Sequence, residues 1–171
     1  MGKERLIKRF KNQYLMEMSH AFITFPLMMV YLIFNNSFQN ILFLVYGLFI
    51  AIFVLIQGQY YWKLKLYRLK EKPFDQEKNL KLFKKAKTIN IYLILFIPIV
   101  FGIQMYLNGW EIIPENLMLW GIIANIFGIL EHINYYNRQL MHDNLYDIRY
   151  LTRNKKLKIA SLAKDLKENK I

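Results

Sequence analysis

Four long apolar blocks constrain this chain more than any other feature: residues 15–34, 41–57, 88–107 and 117–133. A helix crosses roughly 30 Å of hydrocarbon at about 1.5 Å per residue, so it needs about 20 apolar residues. Each block approaches or exceeds that length. A soluble helix carries an apolar stripe, whereas these blocks are apolar all round. The expected fold is all-α: a four-helix transmembrane bundle forming a single domain over 1–171. Its spanning helices fall near 15–34, 41–62, 88–107 and 117–136, joined by a basic loop at 63–87 and followed by a basic tail at 138–171. Helices 2 and 4 are expected to continue inward past the headgroups.

A formal net charge of +12 suggests a nucleic-acid partner until the charges are placed. Five Lys and Arg precede Tyr14, ten lie between Lys63 and Lys87, and nine between Arg138 and Lys170, which accounts for all 24. The loops "NNSFQN" (35–40) and "NGWEIIPEN" (108–116) hold none. This is the positive-inside distribution of a multi-pass plasma-membrane protein with both termini in the cytoplasm. The basic residues then serve orientation and anionic lipid, at about 1 kcal/mol each near the surface. Lys63, Lys65, Arg68, Lys84, Lys85 and Lys87 are the expected headgroup-facing set, and no nucleic acid is expected. Tyr60, Tyr61 and Trp62 are expected in the inner aromatic belt, Trp110 and Trp120 in the outer one. The first apolar run has no small-x-small cleavage site, so it is expected to stay as an anchor.

Local signals refine the elements. Pro26 is expected to kink helix 1, and Pro98 lies within helix 3. "KEKPFDQEKN" (70–79) reads as a turn, after which a basic amphipathic helix from Gln76 leads into helix 3. The tail repeats Leu157, Ala160, Ala163 and Leu166, the pattern of a short amphipathic helix lying on the membrane or on the bundle. "FPLMMVYLIFNN" and "IPIVFGIQMYLNG", with "QGQYYW" and "HINYYN", suggest two parallel hairpin repeats offset by 72 and 75 residues.

Counting inward from the outer edge of each helix places His20 and Glu131 both 14 residues deep, roughly 21 Å. Gln57 and Asn90 fall at 16 and 17 residues, roughly 24–26 Å. Every helix thus brings a polar group to one level. Glu17 lies a turn from His20 on the same face. Gly121, Ala124, Asn125 and Gly128 form a small-residue face that lets helices approach. His132 follows that face, and Glu131 begins a stripe through Tyr135, Arg138 and His142. Ionisable groups at such depth rarely face lipid. The polar layer is therefore Glu17, His20, Gln57, Asn90, Glu131, His132, Tyr135 and Arg138, with Arg138 snorkelling back as a counter-ion for Glu131.

Three roles follow from those residue types. The first is structural, each group satisfying another. The second is a divalent metal site: Glu17-x-x-His20 has the spacing of carboxylate-bridged centres in helical bundles, with Glu131 and His132 as further ligands. Only one such motif is present, and adjacent Glu131 and His132 point about 100° apart. The third is proton-coupled cation transport. A membrane-embedded glutamate in the first of four short helices resembles the small multidrug transporters, whose chains are shorter and carry little cytoplasmic loop. Cysteine is absent, which removes disulfides, thiolate metal sites and thiol nucleophiles. No phosphate loop, dinucleotide glycine pattern, nucleophile elbow or zincin motif is present, so no cofactor is expected. His142 and Asp143 read as solvated surface.

The segment "LEHINYYNRQLMHDNLYDIRYL", followed by "RNKKLKIASLAKDL", resembles small four-helix membrane proteins of low-GC Gram-positive bacteria, some labelled general stress proteins. The resemblance covers residues 130–168 and implies a bacterial plasma-membrane protein. It supplies no catalytic residues. The expected role is non-enzymatic: a membrane component that docks a cytoplasmic protein or senses the envelope through its basic face, alone or as a homodimer. The alternatives are a cation or drug transporter using Glu17, His20 and Glu131, and a metal-dependent membrane enzyme.

Overall fold

The chain breaks its helices where side chains favour turns and continues them through the basic stretches between. The computed structural model describes residues 2–141 and 145–171, with residues 145 and 146 by backbone alone. The first rod, Lys3–Asn35, consists of α1 (Lys3–Ser19), one π-helical turn (His20–Thr24) and α2 (Phe25–Asn35) without interruption. Pro26 accounts for the π turn. Its nitrogen has no hydrogen to donate and its ring crowds the turn before it. The backbone widens there, and Phe25 N–H reaches the His20 carbonyl five residues back.

Next come α3 (Phe38–Leu69) and α4 (Gln76–Leu107). Asp75 caps α4, its Oδ1 accepting from Lys78 N–H at 2.9 Å. A short 3₁₀ turn (Pro114–Asn116) precedes α5 (Met118–Tyr136). Two short helices close the chain, α6 (Leu145–Asn154) and α7 (Ser161–Glu168). Four of these units are long and apolar enough to cross a membrane: Lys3–Asn35, Phe38–Leu69, Gln76–Leu107 and Pro114–Tyr136. α3 runs past its apolar block as expected. α5 does not, which corrects the inward extension of helix 4. Asn134 turns the chain, its Oδ1 accepting from Leu140 and Met141 N–H at 2.8 and 3.2 Å.

The four rods do not surround a common axis. α3 lies in the middle, and α1, α4 and α5 each pack against it. Its buried residues run from Ile41 to Leu64 and point to all three neighbours. The faces turned away from α3 remain apolar, with Phe22, Tyr31, Leu95, Ile99, Leu119 and Ile123 exposed. The closest approach is between α3 and α5, through glycines on both. A Cβ on Gly47 would lie 2.7 Å from Asn125 N, and one on Gly128 would lie 2.9 Å from an Ile50 methyl. The expected small-residue face of Gly121, Ala124, Asn125 and Gly128 is the face that meets α3.

The N-terminus, the α3–α4 turn and the tail gather at one end, which carries the Lys and Arg clusters. Lys3 pairs there with Glu71 at 2.9 Å. At the other end, Asn108 Nδ2 donates to the Gln39 carbonyl at 3.0 Å. The tail lies on the bundle. Gln139 N–H donates to the Lys158 carbonyl at 2.9 Å, and Arg138 and Ile159 form an antiparallel bridge. Leu162 and Ile171 are buried among Tyr61, Leu64, Leu80 and Phe83. Asp165 Oδ2 accepts from Tyr61 Oη at 2.7 Å and from Lys65 Nζ at 2.8 Å. Asp147 of α6 bonds Lys158, Gln139 and Arg9.

Two outcomes follow. Gly47→Ala forces backbone against backbone and is expected to cost about 1–3 kcal/mol, read as a lower Tm in detergent. Gly102→Ala meets open space and should leave Tm unchanged; equal effects would remove close packing as the cause. The second concerns pH. Burial works against the Asp147 charge, but bonds from Lys158 and Gln139 and the charges of Lys158 and Arg9 outweigh it and hold this carboxyl below the usual range. A depressed carboxyl stabilises the fold above its unfolded value and loses that contribution as pH falls through the folded one. Hydrogen-exchange protection over 147–168 should therefore drop below a pH of about 4, and Asp147→Asn should already show low protection at neutral pH.

Candidate functional site

The structure divides the expected polar layer into two clusters on different faces of α5. The first joins α3, α4 and α5. Gln57 and Asn90 exchange both amide bonds, Nε2 to Oδ1 and Nδ2 to Oε1, each at 2.9 Å. Tyr136 Oη donates to Gln57 Oε1 at 2.6 Å, and His132 stacks on the Tyr136 ring at 5.1 Å. Gln57, Asn90 and Tyr136 are buried, and Gln57 Nε2 also donates to the Phe53 carbonyl at 2.9 Å. This reciprocal pair ties α4 to α3.

The second cluster joins the first rod to α5. Tyr135 Oη donates to Glu17 Oε1. Glu17 is buried, at 4% exposure, and its Oε2 has no hydrogen-bond partner among the described residues. Gly58 makes this arrangement possible, because a Cβ there would lie 2.4 Å from the Tyr135 hydroxyl. The first rod and α5 both pack on α3 but make little contact with each other. Between them lies a cleft of about 270 Å³. Glu17, His20 and Glu131 face it, and Phe25, Leu55 and Phe127 supply apolar walls. His20 comes from the π turn, a distortion found often at functional sites. Its ring lies 5.9 Å from that of Phe25, which meets Phe127 edge-on at 5.8 Å.

The other expected site residues fall elsewhere. Arg138 is not the counter-ion of Glu131: α5 ends at Tyr136, and Arg138 Nη1 donates to the Leu157 carbonyl at 3.4 Å. The four metal candidates do not converge either. Glu17, His20 and Glu131 face the cleft, while His132 lies in the amide cluster. Among the described residues no group of three His, Asp or Glu is arranged to hold a metal ion. Lys65 does not face headgroups, because the buried Asp165 carboxylate takes it as its ion-pair partner. Lys63 and Lys87 are half-buried, whereas Arg68, Lys84 and Lys85 are exposed. Tyr61 is buried rather than set in an aromatic belt; Trp110 and Trp120 are exposed. His142 and Asp143 lie outside the described residues.

One buried polar residue escaped sequence reasoning. Gln104 is buried inside an apolar block. Its Oε1 accepts from Phe43 N–H at 2.6 Å, and its Nε2 donates to the Asn40 and Asn116 carbonyls at 2.8 and 2.7 Å. Asn125 Nδ2 donates to the Phe43 carbonyl at 2.9 Å. A lone amide in an apolar run was the available signal, since such a group needs a partner.

These features define an all-helical protein with four helices long and apolar enough to span a membrane, and with two carboxylates facing one cleft among them. Compared with family models, with curated proteins and with solved structures, the chain matches none.

The amide cluster makes its own prediction. Asn90→Leu strands the polar atoms of Gln57 and is expected to cost about 1–3 kcal/mol. Adding Gln57→Leu together with Tyr136→Phe, which removes the hydroxyl bonded to Gln57, should recover most of that loss in denaturation experiments; a combined variant as unstable as the single would show that the cluster does not act as a unit.

Proposed function

We propose that this is a bacterial plasma-membrane protein that binds lipophilic organic cations, in exchange for protons, in the cleft between its first rod and α5. Both ends of the chain and the 63–87 loop are assigned to the cytoplasmic side on the distribution of Lys and Arg. The bacterial source rests on the resemblance of residues 130–168. Arg68, Lys84 and Lys85 are assigned to anionic headgroups, and Lys84 also reaches Asn169 Oδ1 at 2.9 Å.

One observation carries the proposal: Glu17 and Glu131 face a single cleft whose other walls are apolar and aromatic. Two carboxylates in such surroundings repel unless a proton or a cation lies with them. An ammonium or phosphonium centre with apolar substituents meets both requirements, its charge toward the carboxylates and its substituents against Phe25, Leu55 and Phe127. Cation–π attraction to the two phenyl rings adds to the fit. Partner docking through the basic face is less favoured, because the protein's own tail takes up Lys65 and Lys84 there.

Tetraphenylphosphonium binding to the protein in lipid nanodiscs tests this. Affinity should fall as the medium is acidified, since protons compete for the carboxylates. Glu17→Gln and Glu131→Gln should each weaken binding by about 30-fold or more, the usual consequence of removing one member of a buried charge pair. Equal affinity in wild type and both variants would take the carboxylates out of the site.

A further inference from the structure

Glu17 borders a second cavity as well as the cleft. This one has a volume of about 50 Å³ and lies at the basic end. Its polar lining includes Gln13, Asn134, Gln139 and Ser161, which come from the first rod, α5, the turn after it and the start of α7. Tyr135 and Trp62 form the wall nearest the bundle core. The space suffices for a few waters, since one needs about 10–15 Å³ of this kind of volume together with polar partners. Glu17 Oε2 is buried without a hydrogen-bond partner among the described residues. Buried polar atoms beside a polar cavity are ordinarily served by water.

We infer that this cavity is a water-filled vestibule through which Glu17 exchanges protons with the aqueous phase at the basic end, while the cleft on its other side receives the organic cation. The vestibule deepens the role proposed for Glu17 and rests on that reading only for the cation. The step is a plain proton transfer: the O–H bond of the protonated Glu17 carboxyl breaks, a vestibule water takes the proton, and no other bond changes. Tyr135, bonded to Oε1, holds the carboxyl between the two spaces. Among the described residues, the other titratable groups around it are Glu131 from α5, Tyr61 from α3, and Arg9 and His20 from its own rod. Arg9 is paired with Asp147.

The test needs no organic cation. Trp110→Phe with Trp120→Phe leaves Trp62 as the sole indole, beside Tyr135. In nanodiscs, a rapid pH jump should change Trp62 emission, and Glu17→Gln should abolish that change. Gln13→Phe and Ser161→Phe each fill the vestibule from a different element and should slow the relaxation by about tenfold. An emission change that survives Glu17→Gln, or relaxation as fast in both phenylalanine variants as in wild type, overturns the vestibule. Tetraphenylphosphonium binding decides the cleft separately. A vestibule without cation binding leaves the proton route standing alone, and cation binding with unslowed relaxation leaves the cleft standing alone.

Discussion

The close approach of α3 to α5 is the contact on which the rest depends. Gly47 and Gly58 on α3 and Gly121 and Gly128 on α5 remove the side chains that would hold the two backbones apart. In hydrocarbon, lipid tails compete on equal terms with apolar side chains, so tight packing and polar bonds decide which helices associate. With α5 drawn in, its two adjacent tyrosines leave the helix about 100° apart and serve different neighbours. Tyr135 passes over Gly58 to Glu17, and Tyr136 reaches Gln57. The separation of cleft from amide cluster is therefore a consequence of one helix–helix distance and one helical rotation.

α4 shows the complementary solution. Much of its surface faces outward, and three of its seven buried residues are the amides Asn79, Asn90 and Gln104. They act at different heights: Asn79 with Tyr60, Asn90 with Gln57, and Gln104 with the start of α3 and the turn before α5. Side-chain bonds orient this helix where packing is thin. The two hairpins suggested by the 72- and 75-residue offsets thus play unequal parts, since α3 is central and α5 leans on it, while α4 is clasped along its length.

Spanning segments, the glycine-rich face of α5 and the common depth of Gln57 and Asn90 were all legible in the sequence, because length, composition and rise per residue fix them. The azimuth of each helix was not. Depth counting put four residues at one level and their helical neighbours brought the layer to eight, yet which of them meet depends on rotation about each axis, and that is set by contacts far away in the chain. Gly47 and Gly58 looked unremarkable until Asn125 and Tyr135 were placed against them. The end of α5 was equally hidden, since Asn134 stops the helix through its side chain rather than through any breaker in the sequence. Asp165 carried no signal of its own in the sequence; Tyr61 and Lys65 draw it inward. Gln104 was counted as part of an apolar block, although its burial organises the opposite end of the protein.

The two spaces beside Glu17 differ in what they admit, and the difference follows from their walls. An organic cation entering from the basic end would meet Arg9 and the surrounding lysines, and then a cavity of about 50 Å³ that cannot hold it. The cleft is several times larger, is walled by Phe25, Leu55 and Phe127, and lies between two rods that barely touch. Under the proposed function, a cation with apolar substituents reaches the carboxylates sideways from the hydrocarbon, where such molecules concentrate. A proton needs only a short file of waters and is small enough for the vestibule. Size and polarity alone then keep the two traffics apart, and the Glu17 carboxyl is the one group that both must use.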